Sequence, residues 1–436
     1  MTERSTAQAP ATRAHAWTVF GLTFGLMLSD YLSRQVIGAV FPFLKSDWGV
    51  LDAQLGALVS VVSLVVGVFT IPLSLIADRW GRVRSITLMA FVWCLATVAC
   101  GLATNYWQLL AARAVVGLGE AAYAAAGAAL LAHTFAPGRR AAVLGAFQSA
   151  GLFGSVLGVV IGGAVATRFG WRAAFFAVGA PGFVLALVYP FVVRDYVAQR
   201  LPGSAQSTGA AGAALPMREV VTQVFRARSG NLTFLAFGLQ MAMPAILIAW
   251  TPTFLNRFYG FTPQRSALMA AVAVLAGGVG LLMGGGIADR LSRAHPRYRA
   301  VVPASYALLS GIALATGFAL PPSPLALVVI VLGAVFAAAH GGCAIALVMD
   351  VTHPAVRTTV TATAVLGVSL LGLAPGPFFV GIVSDLTNLR TALMLAPLVS
   401  LLAAALFLLA SRCYERDVAS LGLSAADRSG APGHGH

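Results

Sequence analysis

The stretches "SLIADRWGRVR" (Ser74–Arg84) and "GGIADRLSRAH" (Gly285–His295) share Ile-Ala-Asp-Arg followed by further basic residues. Each closes an apolar run, 52 to 77 and 264 to 288. Both runs exceed the roughly 20 residues that cross a bilayer as a helix. Working outward from this pair gives twelve such runs: 17–40, 52–77, 85–104, 106–132, 141–167, 172–194, 230–255, 264–288, 300–319, 325–349, 358–384 and 390–412. The longest polar interval falls after the sixth and contains the flexible Gly/Ala/Ser run "LPGSAQSTGAAGAALP". The quoted pair therefore follows the second span of each of two sets of six. Pro137 and Arg140 before span five match Pro354 and Arg357 before span eleven, and Gly163 and Arg172 match Gly381 and Arg390.

An even number of spans per copy means that the two copies run in the same direction, the pattern of transporters built of two bundles about an axis along the membrane normal. The expected fold is an all-α membrane protein with twelve transmembrane helices in two six-helix bundles related by pseudo-two-fold symmetry. Its parts are an N-tail (1–16), an N-terminal bundle (17–194), a linker (195–229), a C-terminal bundle (230–412) and a disordered C-tail (413–436). In the linker "MREVVTQVFRARSG" (Met217–Gly230) reads as a short amphipathic surface helix.

Composition agrees. The 436 residues are 59% hydrophobic and 10% charged, with mean hydropathy +0.86, which excludes an ordinary soluble domain. The first run follows a polar tail holding Arg4 and Arg13 and is too long for a cleavable signal, so it is read as a retained span. A formal charge of +14 would suggest nucleic acid in a soluble protein. Here about three in four of the basic residues outside the spans lie on the side of both tails, and only Lys45, Arg168, Arg172, Arg257, Arg265 and Arg390 lie opposite. The charge is thus topology, with both termini cytoplasmic in a cell membrane, expected to be a bacterial inner membrane, and no nucleic-acid partner. Cys94, Cys100, Cys343 and Cys413 read as free thiols. No zinc-spaced His/Cys set and no phosphate-binding Gly-rich loop with Lys occurs, so neither an enzyme nor a cofactor or metal site is expected.

Four firmly ionisable groups fall inside spans: Asp30, Arg34, Arg113 and Glu120. A charge at bilayer depth costs about 2.5–3.5 kcal/mol on insertion scales, so each needs a partner or a watery cavity. At a rise of about 1.5 Å per residue, Asp30 and Glu120 lie near the midplane and Arg34 and Arg113 about 8–9 Å toward the outside. Asp30 and Arg34 share a helix face, as do Arg113, Glu120 and Tyr123. Two readings stay open. In one, Asp30 and Glu120 carry a coupling proton while Arg34 and Arg113 hold an anionic substrate; in the other, a permanent ion network locks spans one and four together. His340 lies near the midplane of span ten, and Tyr31, Tyr123, Gln240 and Trp250 are further candidates for the substrate cavity.

Twelve spans, the six-plus-six split, "ADRWGR" and its echo "ADRLSR" together resemble the major facilitator superfamily over the whole chain. The resemblance implies alternating access, with Asp78, Arg79, Gly81, Arg82, Asp289, Arg290 and Arg293 forming a conformational latch, and spans one and four lining the cavity so that the four charges meet. "VVGLGEAAY" after Arg113, and "AWTPTFLNRFYG" (Ala249–Gly260), resemble the spinster-like branch. "DYLSRQ" (Asp30–Gln35) is also similar to the first span of anion:cation symporters. The first resemblance implies lysophospholipid-like or other amphiphilic anions, the second small carboxylates such as sugar or aromatic acids. In span five "GLFGSVLGVVIGG" has the glycine spacing of an antiporter motif, with Val159 in place of its proline. The expected function is proton-coupled secondary transport of an organic anion, with two alternatives, a proton symporter of small organic acids and a non-transporting membrane sensor. Partners are the anion, the proton and the lipid bilayer, and a monomer is expected.

Overall fold

The structure is a computed structural model that describes residues 13–193, 227–295, 297–352 and 357–419, with backbone alone at 13, 78, 294, 357–359, 361 and 362. Secondary structure in these residues is helical throughout. Spans one to three are the single helices Arg13–Trp48, Asp52–Trp80 and Arg82–Leu102. Spans five, six, eight and nine are Pro137–Phe169, Trp171–Val192, Pro263–Ala294 and Tyr298–Ala319.

The other spans are interrupted. Span four is Tyr106–Glu120 and Tyr123–Thr134, span seven Arg228–Gln240 and Ala242–Tyr259, and span ten Pro324–Ala339 and Gly341–Asp350. Span eleven runs Arg357–Val368, a π-helical turn Ser369–Leu373 and Pro375–Leu386; span twelve is Leu389–Leu395 and Leu398–Ala419. Proline explains three of these breaks, because it has no N–H for the carbonyl four residues earlier. Pro244 frees the carbonyl of Gln240, Pro375 that of Leu371 and Pro397 that of Leu393. In span eleven the ladder widens to accommodate this, with Ala374 N donating to Ser369 O at 2.9 Å. Span four breaks without proline, and there Thr70 of span two donates its hydroxyl to the Ala121 carbonyl at 2.9 Å. Span ten breaks at His340, immediately before Gly341 and Gly342.

Eleven helical stretches among the described residues are long and apolar enough to cross a membrane. The remaining one is Arg13–Trp48, where Asp30, Arg34 and Gln35 dilute the apolar character. Its 36 residues pack along span five, where the small faces of Gly154 and Gly158 lie against the carbonyls of Leu28 and Leu32. Close helix approach is thus the observed use of the glycine spacing in span five. Twelve helices in two bundles result, as expected, and the bundles touch through spans one and seven, two and eleven, and five and eight.

Some limits differ from expectation. Span one begins at Arg13, within the expected N-tail, and span seven at Arg228, within the expected linker. The last helix continues to Ala419, so the tail expected to be disordered from residue 413 opens with about two more helical turns. Residues 420–436 and most of the linker, including 217–226 of the expected surface helix, lie outside the described residues.

Candidate functional site

A cavity of about 290 Å3 lies between the bundles. Its N-terminal wall is made by Met27, Asp30, Tyr31 and Arg34 of span one, Ser63 and Val66 of span two, and Ala124 of span four. The facing wall is apolar: Phe237, Ile345, Val348, Met349, Val360, Ala364, Val365, Val368 and Leu373, with Ser369 as its polar member. The later residues of span ten and the early ones of span eleven contribute most of this wall, which places the cavity toward the side of the chain's tails.

One polar cluster stands on the N-terminal wall. Arg34 Nη2 donates to Glu120 Oε2 at 2.6 Å, and the Glu120 side chain is fully buried. The Asp30 carboxyl, 3% exposed, lies within electrostatic reach of both. The Arg34 guanidinium also rests over the Tyr31 ring, 5.5 Å from its centroid. Spare bonding capacity remains: Asp30 Oδ1, Glu120 Oε1 and Arg34 Nε have no hydrogen-bond partner. The cluster holds its geometry because span four is drawn against its neighbours, with Gly117 on the Val62 backbone of span two and Gly119 on the Trp93 backbone of span three. The break directly after Glu120 ends the helix at the level of the cavity.

Arg113 takes a different position from the one expected of a substrate ligand. It is 1% exposed, and it donates from Nε to Leu58 O (3.1 Å), from Nη1 to Ser33 O (3.0 Å) and from Nη2 to Arg34 O (3.1 Å). Its guanidinium thereby ties spans one, two and four together and presents no group to the cavity. Tyr123 is likewise packed, donating to Thr23 O at 2.6 Å and meeting the Trp93 ring edge-on at 4.9 Å. Trp250 is buried at the bundle interface, with Nε1 donating to Pro377 O at 3.0 Å and its ring 5.2 Å from Phe41. Gln240 and His340 are fully buried but absent from the cavity wall. Of the substrate candidates, then, Arg34 and Tyr31 face the cavity.

Opposite the tails the bundles are closed by a cluster that sequence reasoning missed. Asp52 at the start of span two receives Arg257 Nη1 and Nη2 at 2.7 and 2.8 Å, Lys45 Nζ at 2.6 Å and Ser384 Oγ at 2.5 Å. Asp385 in turn accepts the backbone N–H groups of Asp52 and Ala53 at 2.8 and 2.7 Å, capping span two from the other bundle. Beside it a Cβ at Gly56 or Gly381 would overlap the backbone of Pro377 or Asp52. The available signal was "Trp-x-Pro" followed by Arg257, together with a lone aspartate opening an apolar run.

The repeated loops are arranged differently in the two halves. Gly81 turns at φ 100°, a conformation open to glycine, and Arg82 Nη1 reaches Ala129 O of span four at 3.4 Å. Arg79, Arg290 and Arg293 are exposed, and the Asp78 side chain lies outside the described residues. Asp289 pairs with Arg299 at 2.7 Å, and Arg299 with Asp350 at 2.8 Å, which also accepts from Tyr414 at 3.0 Å. These described contacts stay within one bundle. Among the described residues no group of His, Cys, Asp or Glu could hold a metal ion.

The sequence model of the Major Facilitator Superfamily matches residues 23–374. The chain is 27% identical over 279 residues to a probable L-galactonate transporter of Escherichia coli, covering 63% of this chain and 62% of that protein. It is 24% identical over 458 residues to protein spinster homolog 1 of Xenopus tropicalis, covering 96% of this chain and 85% of that one. Among solved structures, a bacterial homologue of the human lysosomal transporter Spinster, in an inward-facing and unoccupied conformation, superposes with a TM-score of 0.82 at 22% identity, over 93% of this chain and 99% of that one.

Proposed function

The chain belongs to the major facilitator superfamily, and on that premise we propose that it moves an organic anion, amphiphilic in character, across the membrane together with protons. It is a multi-pass membrane transporter, not an enzyme. The observation that carries the finer reading is the cavity's division into one polar and one apolar wall, with Arg34 as the cation on the polar wall held by one oxygen of one buried carboxylate. Anion and Glu120 then compete for the same guanidinium. A proton on Glu120 or Asp30 frees Arg34 for the substrate's acid group, while the aliphatic part lies along Val348, Val365 and Val368. Release of the proton restores the Arg34–Glu120 pair and expels the anion. Since arginine stays charged at any relevant pH, the carboxyls are the groups that switch.

With the tails cytoplasmic, the described state opens inward and is closed outside by the Asp52 cluster. The superposition with an inward-facing relative fits this assignment. A second reading, symport of a small organic acid, is favoured by the cavity's modest volume of about 290 Å3; the galactonate transporter it resembles is named for such a substrate.

The deciding experiment follows the interior pH of proteoliposomes with a trapped dye while lysophospholipids and short carboxylates are offered in turn. A response to the lipid, lost in Glu120→Gln, supports the amphiphile. A response confined to a short acid moves the protein to the second reading. Flux and proton movement that survive Glu120→Gln unchanged remove that residue from coupling.

A further inference from the structure

The C-terminal bundle encloses polar groups that the cavity does not use. Gln240 and His340 are both fully buried and stand at the breaks of spans seven and ten. Neither Oε1 nor Nε2 of Gln240 has a hydrogen-bond partner, and neither ring nitrogen of His340 has one. The Ala337 carbonyl, one turn earlier, approaches the imidazole without hydrogen-bond geometry.

The two side chains are linked through Phe237, which lies one turn from Gln240 and touches the His340 ring. Thr233, Ala236, Phe237 and Gln240 recur at intervals of three and four, one face of span seven. Ala236 and Phe237 pack with Ala403, Ala404 and Phe407 of span twelve. The His340 ring meets Phe237 at 5.6 Å and Phe407 at 6.5 Å between centroids. Ser310 and Ser400, both buried and likewise without partners, stand on the neighbouring spans nine and twelve, where Gly311 abuts Ser400. Phe237 belongs to both regions: it lines the cavity and touches His340.

Orphaned buried polar atoms carry a desolvation penalty that an apolar residue of similar shape would remove, so retaining four of them on two side chains at helix breaks points to a bond made in another state. Their chemistry narrows the partner. A glutamine amide and a neutral imidazole each offer one donor and one acceptor function, and the nearby hydroxyls do the same. The set suits an uncharged group that both donates and accepts.

We propose that Phe237 partitions the anion cavity from a second, hydrogen-bonding subsite in which Gln240 and His340 hold a hydroxyl group of the transported molecule. The proposal rests on the organic-anion reading for the identity of the rest of the ligand. Rotation of the Phe237 ring joins the two compartments, so that Arg34 fixes the acid group and the C-terminal bundle fixes the hydroxyl. The transported molecule is then a hydroxylated acid, not a plain fatty acid.

The test measures binding to the purified full-length protein by the ligand-induced rise in melting temperature, titrated to half-effect. The probes are pentanoate, hexanoate and heptanoate, each against its terminally hydroxylated analogue. In the wild type at least one hydroxy acid should bind about fivefold more tightly than its plain partner, the scale of one net hydrogen bond. Gln240→Leu and His340→Phe should abolish that preference and raise the melting temperature of the empty protein; Gln240→Met and His340→Leu serve if either first choice fails to fold. Equal binding of plain and hydroxylated acids by the wild type overturns the subsite. So does a preference that persists in both variants, which would leave the chamber to ordered water. A second pair, 1-pentanol against 1,5-pentanediol, separates the two proposals. If no acid binds but the diol still outperforms the alcohol in the wild type alone, the anion reading falls and the subsite stands; if neither pair discriminates, the subsite falls.

Discussion

Asp52→Asn should open the outer side of the transporter. The substitution keeps the shape of the side chain and removes its charge, so the paired bonds from Arg257 and the bond from Lys45 lose their ionic character, and the amide offers one acceptor in place of two. Bonds to a charged group contribute about 1.5–3 kcal/mol each net, but the partners here are partly exposed, Lys45 by 41% and Arg257 by 28% of their side chains, so solvent screening lowers the sum. Because Lys45 belongs to the same bundle as Asp52, only the Arg257 and Ser384 bonds favour the closed outer face. A loss of about 2–3 kcal/mol for that closed state is reasonable, which moves the inward-to-outward ratio by roughly 30- to 150-fold. The assay is pulsed electron resonance between spin labels at Trp107→Cys and Leu325→Cys, exposed residues on the outer ends of spans four and ten. Cys413, the one cysteine that is not buried, is replaced by serine beforehand. The long-distance population should rise in Asp52→Asn and in Arg257→Gln, and the double variant should add little to either because both remove the same pair. An unchanged distance distribution in Asp52→Asn, or full additivity of the two variants, would refute the reasoning.

Other outcomes follow from the same geometry. Arg113→Met should lower yield and stability by about 1.5–3 kcal/mol, because three backbone carbonyls lose the charged second donor that ties spans one, two and four; a melting curve within a degree of wild type would count against its role as a tie. Arg34→Lys keeps the charge but not the planar fork, and should weaken anion binding by about tenfold or more, read as the half-saturating concentration for uptake. Gly158→Leu should prevent accumulation of folded protein, since the added side chain meets the Leu32 backbone, whereas Gly145→Leu, where a Cβ meets nothing within 4 Å, should be tolerated. Gel filtration in detergent with a fluorescent tag compares the two directly.

The sequence was informative where the membrane constrains it. Span count and bundle division follow from apolar run length and a repeated loop, whereas the meeting of Arg34 with Glu120 was implied by the family resemblance, since depth along the two helices alone sets them on different levels. Arg113 was legible as buried but not as bound to backbone, because nothing in a sequence says whether a guanidinium meets a carboxylate or the carbonyls that neighbouring helices expose. The Asp52 cluster was hidden for a related reason: it joins residues 45, 52, 257, 384 and 385, and each alone reads as an ordinary helix-end polar group. The helix breaks were partly visible, since Pro244, Pro375 and Pro397 mark three of them. The interruption after Glu120 carries no such mark and depends on how span four packs on spans two and three.

The polarity of span one also bears on how the chain is made. Its Arg34 pairs with a carboxylate 86 residues downstream, and the span five surface on which it lies is made later still. At about 5–20 residues per second, some 4–17 seconds separate the two partners during synthesis. For that interval Arg34 has only Asp30, one turn away on the same helix, as counter-ion, and Asp30, Arg34 and Gln35 dilute the apolar run, so the first helix is expected to settle stably only once span four is made. Spans two and three anchor either chain in the membrane, so the readout is span one itself: a cysteine at Leu28 should react with a water-soluble maleimide in nascent chains arrested before Glu120 and be shielded in chains arrested after span five; equal shielding in both would mean that the first helix inserts unaided.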